Sequence, residues 1–215
     1  MRQASSARLL LTAVAIAIIA ATAADAADAK AGTLTCVGLY SETDAGYVSF
    51  RVGSGAWTVV KPGDVIPAAA EIRVNVDRDW VEFVRTGVSG AVYEIDGSEK
   101  GAVLRKVSDI LKDKPRPVAL PKGSAKTPDP KFKDLLVVTQ YLGRQIYFSA
   151  DGDSRDIKYG DVLEAKGTVS IIGINNTLTL MNASSAVTTV IGPLKFSVGK
   201  VLANQNLYKF LNVQN

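Results

Sequence analysis

The stretch KPGDVIPAAAEI (Lys61–Ile72) has a counterpart ninety-seven residues later, KYGDVLEAKGTV (Lys158–Val169). Both read Lys-x-Gly-Asp-Val, then Ile or Leu, then x-Ala, with an apolar β-branched residue at the same distance beyond. Gly-Asp alone is a common turn dipeptide, so the weight of the comparison lies in what surrounds it. At the same offset Ile66 meets Leu163, Ile72 meets Val169, Val74 meets Ile171, Val81 meets Leu178 and Phe83 meets Leu180. After a two-residue gap, Ile95 meets Val190, Gly97 meets Gly192, Lys100 meets Lys195 and Val103 meets Val198. A slip of one residue would send a strand's apolar set to the wrong face, so agreement of the apolar positions says more than the few identities do. The chain is expected to carry one β-rich module written twice.

The repeated dipeptide then has a mechanical role. Gly63 and Gly160 supply a backbone conformation that costs other residues dearly. Asp64 and Asp161 are expected to bond their own downstream amides, as in an Asx-turn. Both pairs mark turns between strands, and neither aspartate is expected to be catalytic.

Short alternating runs rich in Val, Ile, Thr, Tyr and Phe fill both halves, among them YVSFRV, EIRVNV and WVEFV, then RQIYFS, TVSIIGI and TLTLMN. Such runs at regular spacing predict an all-β protein of sandwich or barrel type. Only AVLRKVSDILKD, with Val103, Val107, Ile110 and Leu111 at helical spacing, predicts a short helix. Between the halves, residues 112–133 hold five of the chain's eight prolines and seven basic residues against Asp113 and Asp129. Proline removes a backbone donor, so this segment predicts an extended, solvated connector that pairs in no sheet. The expected organisation is a signal segment over 1–29, modules over 34–111 and 134–215, and a basic linker over 112–133.

The N-terminus supports export. Arg2 and Arg8 precede the uncharged LLLTAVAIAIIAATAA (Leu9–Ala24), and small-x-small sites follow. That is the three-part layout of a secretory signal, with cleavage expected between residues 23 and 29 and a periplasmic destination. The membrane is met only through this segment if it stays uncleaved. Cys36 is the single cysteine, so no intramolecular disulfide can form. The formal net charge of +4 sits in the linker rather than on a folded face, which argues against a nucleic-acid surface.

At GAWTVVKPGDVIPAAAEIRV the sequence resembles the FecR-domain family. Trp57, Gly63, Asp64, Ile72 and Arg73 stand on that family's motif positions, and Asp96-Gly97 stands on its later hairpin dipeptide. The second half matches at Gly160, Asp161, Leu163 and Gly192. The resemblance implies an extracytoplasmic, jelly-roll-like β-sandwich module, here in two tandem copies. The family's best-known members restrain a sigma factor through a cytoplasmic N-terminal part. Only about eight residues precede the apolar run here, so the extracytoplasmic module alone is carried over.

Catalytic chemistry finds little footing. The chain has no histidine, which removes the commonest general base and metal ligand and excludes Ser–His–Asp and Cys–His mechanisms. Glu71, Asp77, Asp79, Glu82 and Glu94 show no spacing that demands a carboxylate pair. In SADGDSRDI (Ser149–Ile157), Arg155 stands at the third ligand position of a calcium loop, and a turn accounts for the residues. No cofactor and no metal are expected. The candidate interaction surface is Trp57, Trp80 and Arg73, with Trp80 pointing away from the Val81 face. The expected function is a non-catalytic periplasmic binding or scaffolding element that acts on an envelope protein. The alternatives are a glycan- or peptidoglycan-binding module and the extracytoplasmic part of a transmembrane signalling system.

Overall fold

The computed structural model describes residues 32–41, 48–75 and 77–204. The expected signal segment, residues 1–29, lies outside the described residues. Among them no helix is long and apolar enough to cross a membrane. The fold is predominantly β. In the first half the strands are β1 (Leu34–Tyr40), β2 (Val48–Val52), β3 (Thr58–Val59), β4 (Val65–Ile66), β5 (Ala70–Val74), β6 (Trp80–Arg85), β7 (Ala91–Asp96) and β8 (Val103–Lys106), followed by the one-turn helix α1 (Val107–Ile110). β9 (Arg116–Pro117) and a 3-10 turn at Pro130–Phe132 come next. The second half holds β10 (Leu135–Leu142), β11 (Ile146–Ala150), β12 (Asp153–Asp156), β13 (Val162–Glu164), β14 (Thr168–Ile171), β15 (Thr177–Met181), β16 (Val187–Ile191), β17 (Leu194–Ser197) and helix α2 (Val198–Ala203).

The alternation seen in the sequence places the strands. On β5, Ala70, Ile72 and Val74 are buried while Glu71 and Arg73 face the other way. On β16 the buried residues are Thr188 and Val190, between exposed neighbours. Hydrogen bonding then repeats from one half to the other. Gly63 N–H donates to the Cys36 carbonyl at 2.8 Å, and Gly160 N–H to the Val138 carbonyl at 2.8 Å. Gly97 N–H donates to Asp79 O at 2.7 Å, and Gly192 N–H to Asn176 O at 2.8 Å. Val81 lies opposite Leu39 and Ile95; Leu178 lies opposite Tyr141 and Val190. Ile72 lies opposite Phe50, and Val169 opposite Phe148. β1 and β10 each carry a register shift at the matching place, between Cys36 and Gly38 and between Val138 and Gln140.

The match changes after Gly97. Val74 faces Val103 while Ile171 faces Leu194, so Val103 corresponds to Leu194 and not to Val198. The turn after β7 is four residues longer than the Gly192-Pro193 turn, and this moves the offset. Val107 and Ile110, both buried, correspond to Val198 and Val201. Val103 itself sits on β8, and only Val107–Ile110 is helical.

The two halves do not stand apart. β1 pairs with β10 in parallel, Gly38 beside Tyr141 and Leu39 beside Leu142, which joins both halves into one nine-stranded sheet. Its strand order is β16-β15-β10-β1-β6-β7-β9, and the six strands from β16 to β7 form a palindrome of counterparts about the central pair, with β9 added at one edge. A parallel central pair within such an order relates the halves by an approximate two-fold rotation about an axis along the strands. That rotation turns each half's inner face to opposite sides of the shared sheet. The side chains follow. Val81 and Phe83 of β6 enter a first core with Leu34, Cys36 and Ile72. Trp80, Val84 and Val92 pack on a second core formed by Leu136, Tyr141, Leu163 and Leu178. Each half also has a small four-stranded sheet, β3-β2-β5-β8 and β12-β11-β14-β17. The two modules, expected as units on either side of a linker, therefore share their packing, because the outer face of the first half's sheet is covered by the second half.

The expected solvated linker is also corrected. Arg116 and Pro117 pair with Val92 and Ala91 at the edge of the shared sheet, a position proline tolerates because its missing donor points outward. Val118 N–H donates to the Gly90 carbonyl at 2.8 Å, and Val118 and Leu120 pack on the second core. Asp129 N–H donates to Ala183 O at 2.7 Å, and Phe132 is buried with Val137 and Ala183. The Pro-rich segment is strapped across both halves, its lysines exposed and its apolar residues turned inward.

Gly38 sits at the seam for a steric reason: a Cβ there would lie 2.1 Å from the Tyr141 ring. We expect Gly38→Ala to cost about 1–3 kcal/mol by overpacking. Urea denaturation should show this loss within a single cooperative transition for both halves. Two separate transitions in the wild type would contradict a shared sheet.

Candidate functional site

The junction between the halves has two faces, and the palindrome makes them counterparts. On one face the space is filled. Trp80, aimed away from Val81 as its strand position dictates, stacks on Tyr40 with centroids 3.9 Å apart and planes 3° from parallel. Its indole N–H donates to the Tyr141 hydroxyl at 2.6 Å. Tyr141 in turn donates to Glu82 at 2.8 Å. Glu82 is fully buried and also accepts from the Tyr159 amide at 2.8 Å and from the Arg116 guanidinium at 2.6 Å. The Arg116 guanidinium donates to the Tyr159 carbonyl as well, at 3.1 Å. Lys158 pairs with Glu94 and lies 5.0 Å from the Trp80 ring centroid. Three stretches of chain thus converge on one carboxylate: β6, the Pro-rich strap, and the second half.

Burial pushes the Glu82 carboxyl above the ordinary carboxylate range, while the Tyr159 amide, the Tyr141 hydroxyl and Arg116 pull against that rise. The Tyr141 hydroxyl is raised well above its usual value by burial and by the neighbouring Glu82 charge. These ionisable groups are spent on one another within the protein.

On the opposite face the same place is open. A groove of about 970 Å³ runs between the Lys61-Pro62 turn of the first half and β10, β15 and β16 of the second. Leu39, Val60 and Leu142 give it an aliphatic lining, Gln140, Gln145 and Asn175 add carboxamides, and Lys61 and Arg144 add cations. Val59 and Ile174, at its rim, are 46% and 76% exposed. Among the described residues, its lining holds no aromatic ring and no carboxylate.

The residues singled out from the sequence fall in three places. Trp57 is half-buried on the small sheet of the first half, with the guanidinium carbons of Arg73 and Arg51 at 4.2 and 4.5 Å from its ring centroid. Cation–π contact therefore brings Trp57 and Arg73 together. Arg51 also pairs with Glu71 at 2.7 Å. Trp80 is elsewhere, inside the filled junction, so the expected surface of Trp57, Trp80 and Arg73 is not one surface. Asp64 and Asp161 do hold turns, but their carboxylates accept from the amides three residues upstream, Lys61 and Lys158, each at 2.8 Å. This corrects the expected downstream bonding. Gly63 and Gly160 have φ of +93° and +80°, as the turn demands. Asp96 closes β7 opposite Trp80, and Gly97 ties back to Asp79 O. Asp151-Gly152 forms the β11–β12 hairpin turn, with φ of +53° and +91°. Among the described residues no group of three or more possible ligands could hold a metal ion.

Tyr141, Tyr159, Arg116 and the groove were not singled out from the sequence. The readable signal lay in the mismatches of the repeat: Trp80 against Thr177, Glu82 against Thr179, and Tyr159 against Pro62.

Compared with protein families, with curated proteins and with solved structures, the chain matches none. The fold and site define an all-β protein whose halves close on a buried carboxylate and leave a groove on the opposite side.

The raised Glu82 carboxyl gives a signed prediction. A carboxyl whose folded pKa lies above its unfolded value contributes stability at low pH, and loses it as pH rises through the folded value. The urea midpoint should fall as pH rises from the ordinary glutamate range, and Glu82→Gln should flatten that part of the profile. Arg116→Met, which leaves the carboxylate buried without its only cation partner among the described residues, should cost about 3 kcal/mol. This is the low end for a broken buried pair, because the Arg116 side chain is 41% exposed.

Proposed function

We propose that this chain is a non-catalytic binding element of the bacterial envelope. It is an exported periplasmic protein of FecR-like type, with two tandem jelly-roll-like modules, that works by holding another protein. The observation that carries this reading is the open groove to which both halves contribute, about 970 Å³ in volume and rimmed by the exposed Val59 and Ile174. Concave, largely aliphatic sites with a few convergent polar groups are where proteins bind ligands. The charged groups of the filled junction support the same reading, since they are turned toward each other instead of into an open cleft. The strap changes how such a protein would work. Two modules on a loose tether would gain affinity by engaging separate sites. Two halves locked through one sheet present a single preformed surface instead, with little ordering cost on binding. A glycan-binding module would need Trp57 or Trp80 as a stacking platform, and both rings are engaged by side chains of the protein itself.

A photo-cross-linking residue at Ile174, in living cells, should yield one defined protein adduct. The same probe at Val88, exposed but not part of the groove, should not. Free protein alone at both positions, or the same adducts at both, would count against the reading. N-terminal sequencing of the periplasmic form should place its first residue between 24 and 30.

A further inference from the structure

The approximate two-fold relation makes the protein a template for its own groove, because the equivalent space on the other face is occupied by known groups. Where the filled junction has the stacked rings of Tyr40 and Trp80, the groove has Leu142 and Thr177. Tyr141 is matched by Leu39, and Tyr159 by Pro62, so four rings are missing. Glu82 and Glu94 are matched by Thr179 and Thr189, so two carboxylates are missing as well. One group is kept. Lys158, which meets Glu94 and the Trp80 ring, is matched by Lys61, which is exposed and has no ion-pair partner among the described residues. Among the described residues, the groove retains the cation and lacks both the ring and the acid that answer it on the other face.

We infer that the groove takes an extended peptide segment of another protein that carries an aromatic side chain beside a carboxylate. The ring lies over Leu142 and Thr177, as Trp80 lies over its neighbours, and the carboxylate meets Lys61. Arg144 also lines the groove. Gln140, Gln145 and Asn175 offer both donors and acceptors, which suits a peptide backbone. A second copy of this chain is a poorer occupant, since its own formal charge is +4. This inference rests on the binding reading above and specifies its ligand.

The test uses the mature protein and a fluorescein-labelled peptide, Gly-Ser-Trp-Glu-Ser-Gly, followed by anisotropy. The parent peptide should bind, and its Trp→Ala and Glu→Gln forms should each bind about tenfold more weakly. Lys61→Gln should abolish the difference between the Glu and Gln peptides. Leu142→Tyr combined with Thr177→Trp, which installs the rings of the filled face, should block binding with no loss of thermal stability. Absent binding of the parent, equal binding of all three peptides, or unaltered binding by the Lys61 variant would overturn the inference. Competition by free indole-3-propionate as strong as by unlabelled peptide would overturn the peptide assignment. If the Ile174 probe captures a partner whose cross-linked segment lacks the ring and acid, this inference fails and the binding reading survives. If neither peptide nor adduct is found, both fail.

Discussion

A carboxylate with no exposure to water must be answered by donors, since the cost of stripping its hydration is several kcal/mol. Glu82 is such a group, and its donors come from Tyr141, the Tyr159 amide and Arg116. None of these lies on its own strand pair, so the demand can be met only when the second half and the Pro-rich strap are both in place. Hydrogen bonds to a charged group are directional and strong, and each removes a way in which the halves could slide. The charge therefore fixes the angle between the halves more than it stabilises either. The other elements of the junction stand around it: Gly38 is bare so that the Tyr141 ring can pass, and Trp80 orients the Tyr141 oxygen from behind.

The parallel pairing of β1 and β10 sets the frame in which that carboxylate is buried. Parallel strands ordinarily lie where both faces of the sheet are covered. Here the coverage comes from the two halves, each laying its own small sheet on opposite sides of the shared one. Repetition with inversion gives two junctions of the same backbone. In one, side chains have grown large and charged and have closed it. In the other they have stayed short, and a groove is left. One fold thereby holds a fixed joint and an open site in equivalent positions.

The β class and the repeat were legible in the sequence because alternation and offset are local properties. Val81 with Leu178 and Ile72 with Val169 fall at matching places in their sheets, as the apolar pattern required. The pairing beyond Gly97 was misplaced because a four-residue difference in one turn is invisible when two lysines and two valines happen to align. The strap was read as solvated because its prolines and lysines dominate its composition. What ties it down is a few residues, Val118, Leu120 and Phe132, whose partners lie far off in sequence. The direction of Trp80 was legible from strand alternation, but not what that direction meets. An outward face of one half can be an inward face of the whole, and only the β1–β10 pairing reveals it.

Cys36 draws a last consequence from the bulged start of β1. The thiol has no solvent exposure, donates to the Gly38 carbonyl at 3.6 Å, and is pushed far above its ordinary range by burial. The reactive form of cysteine is the thiolate, and it must be reachable. This sulfur is consequently inert toward oxidants and other thiols while the sheet is shut. It becomes chemically visible only when β1 peels from β6, which makes the residue a natural sentinel for opening of the seam.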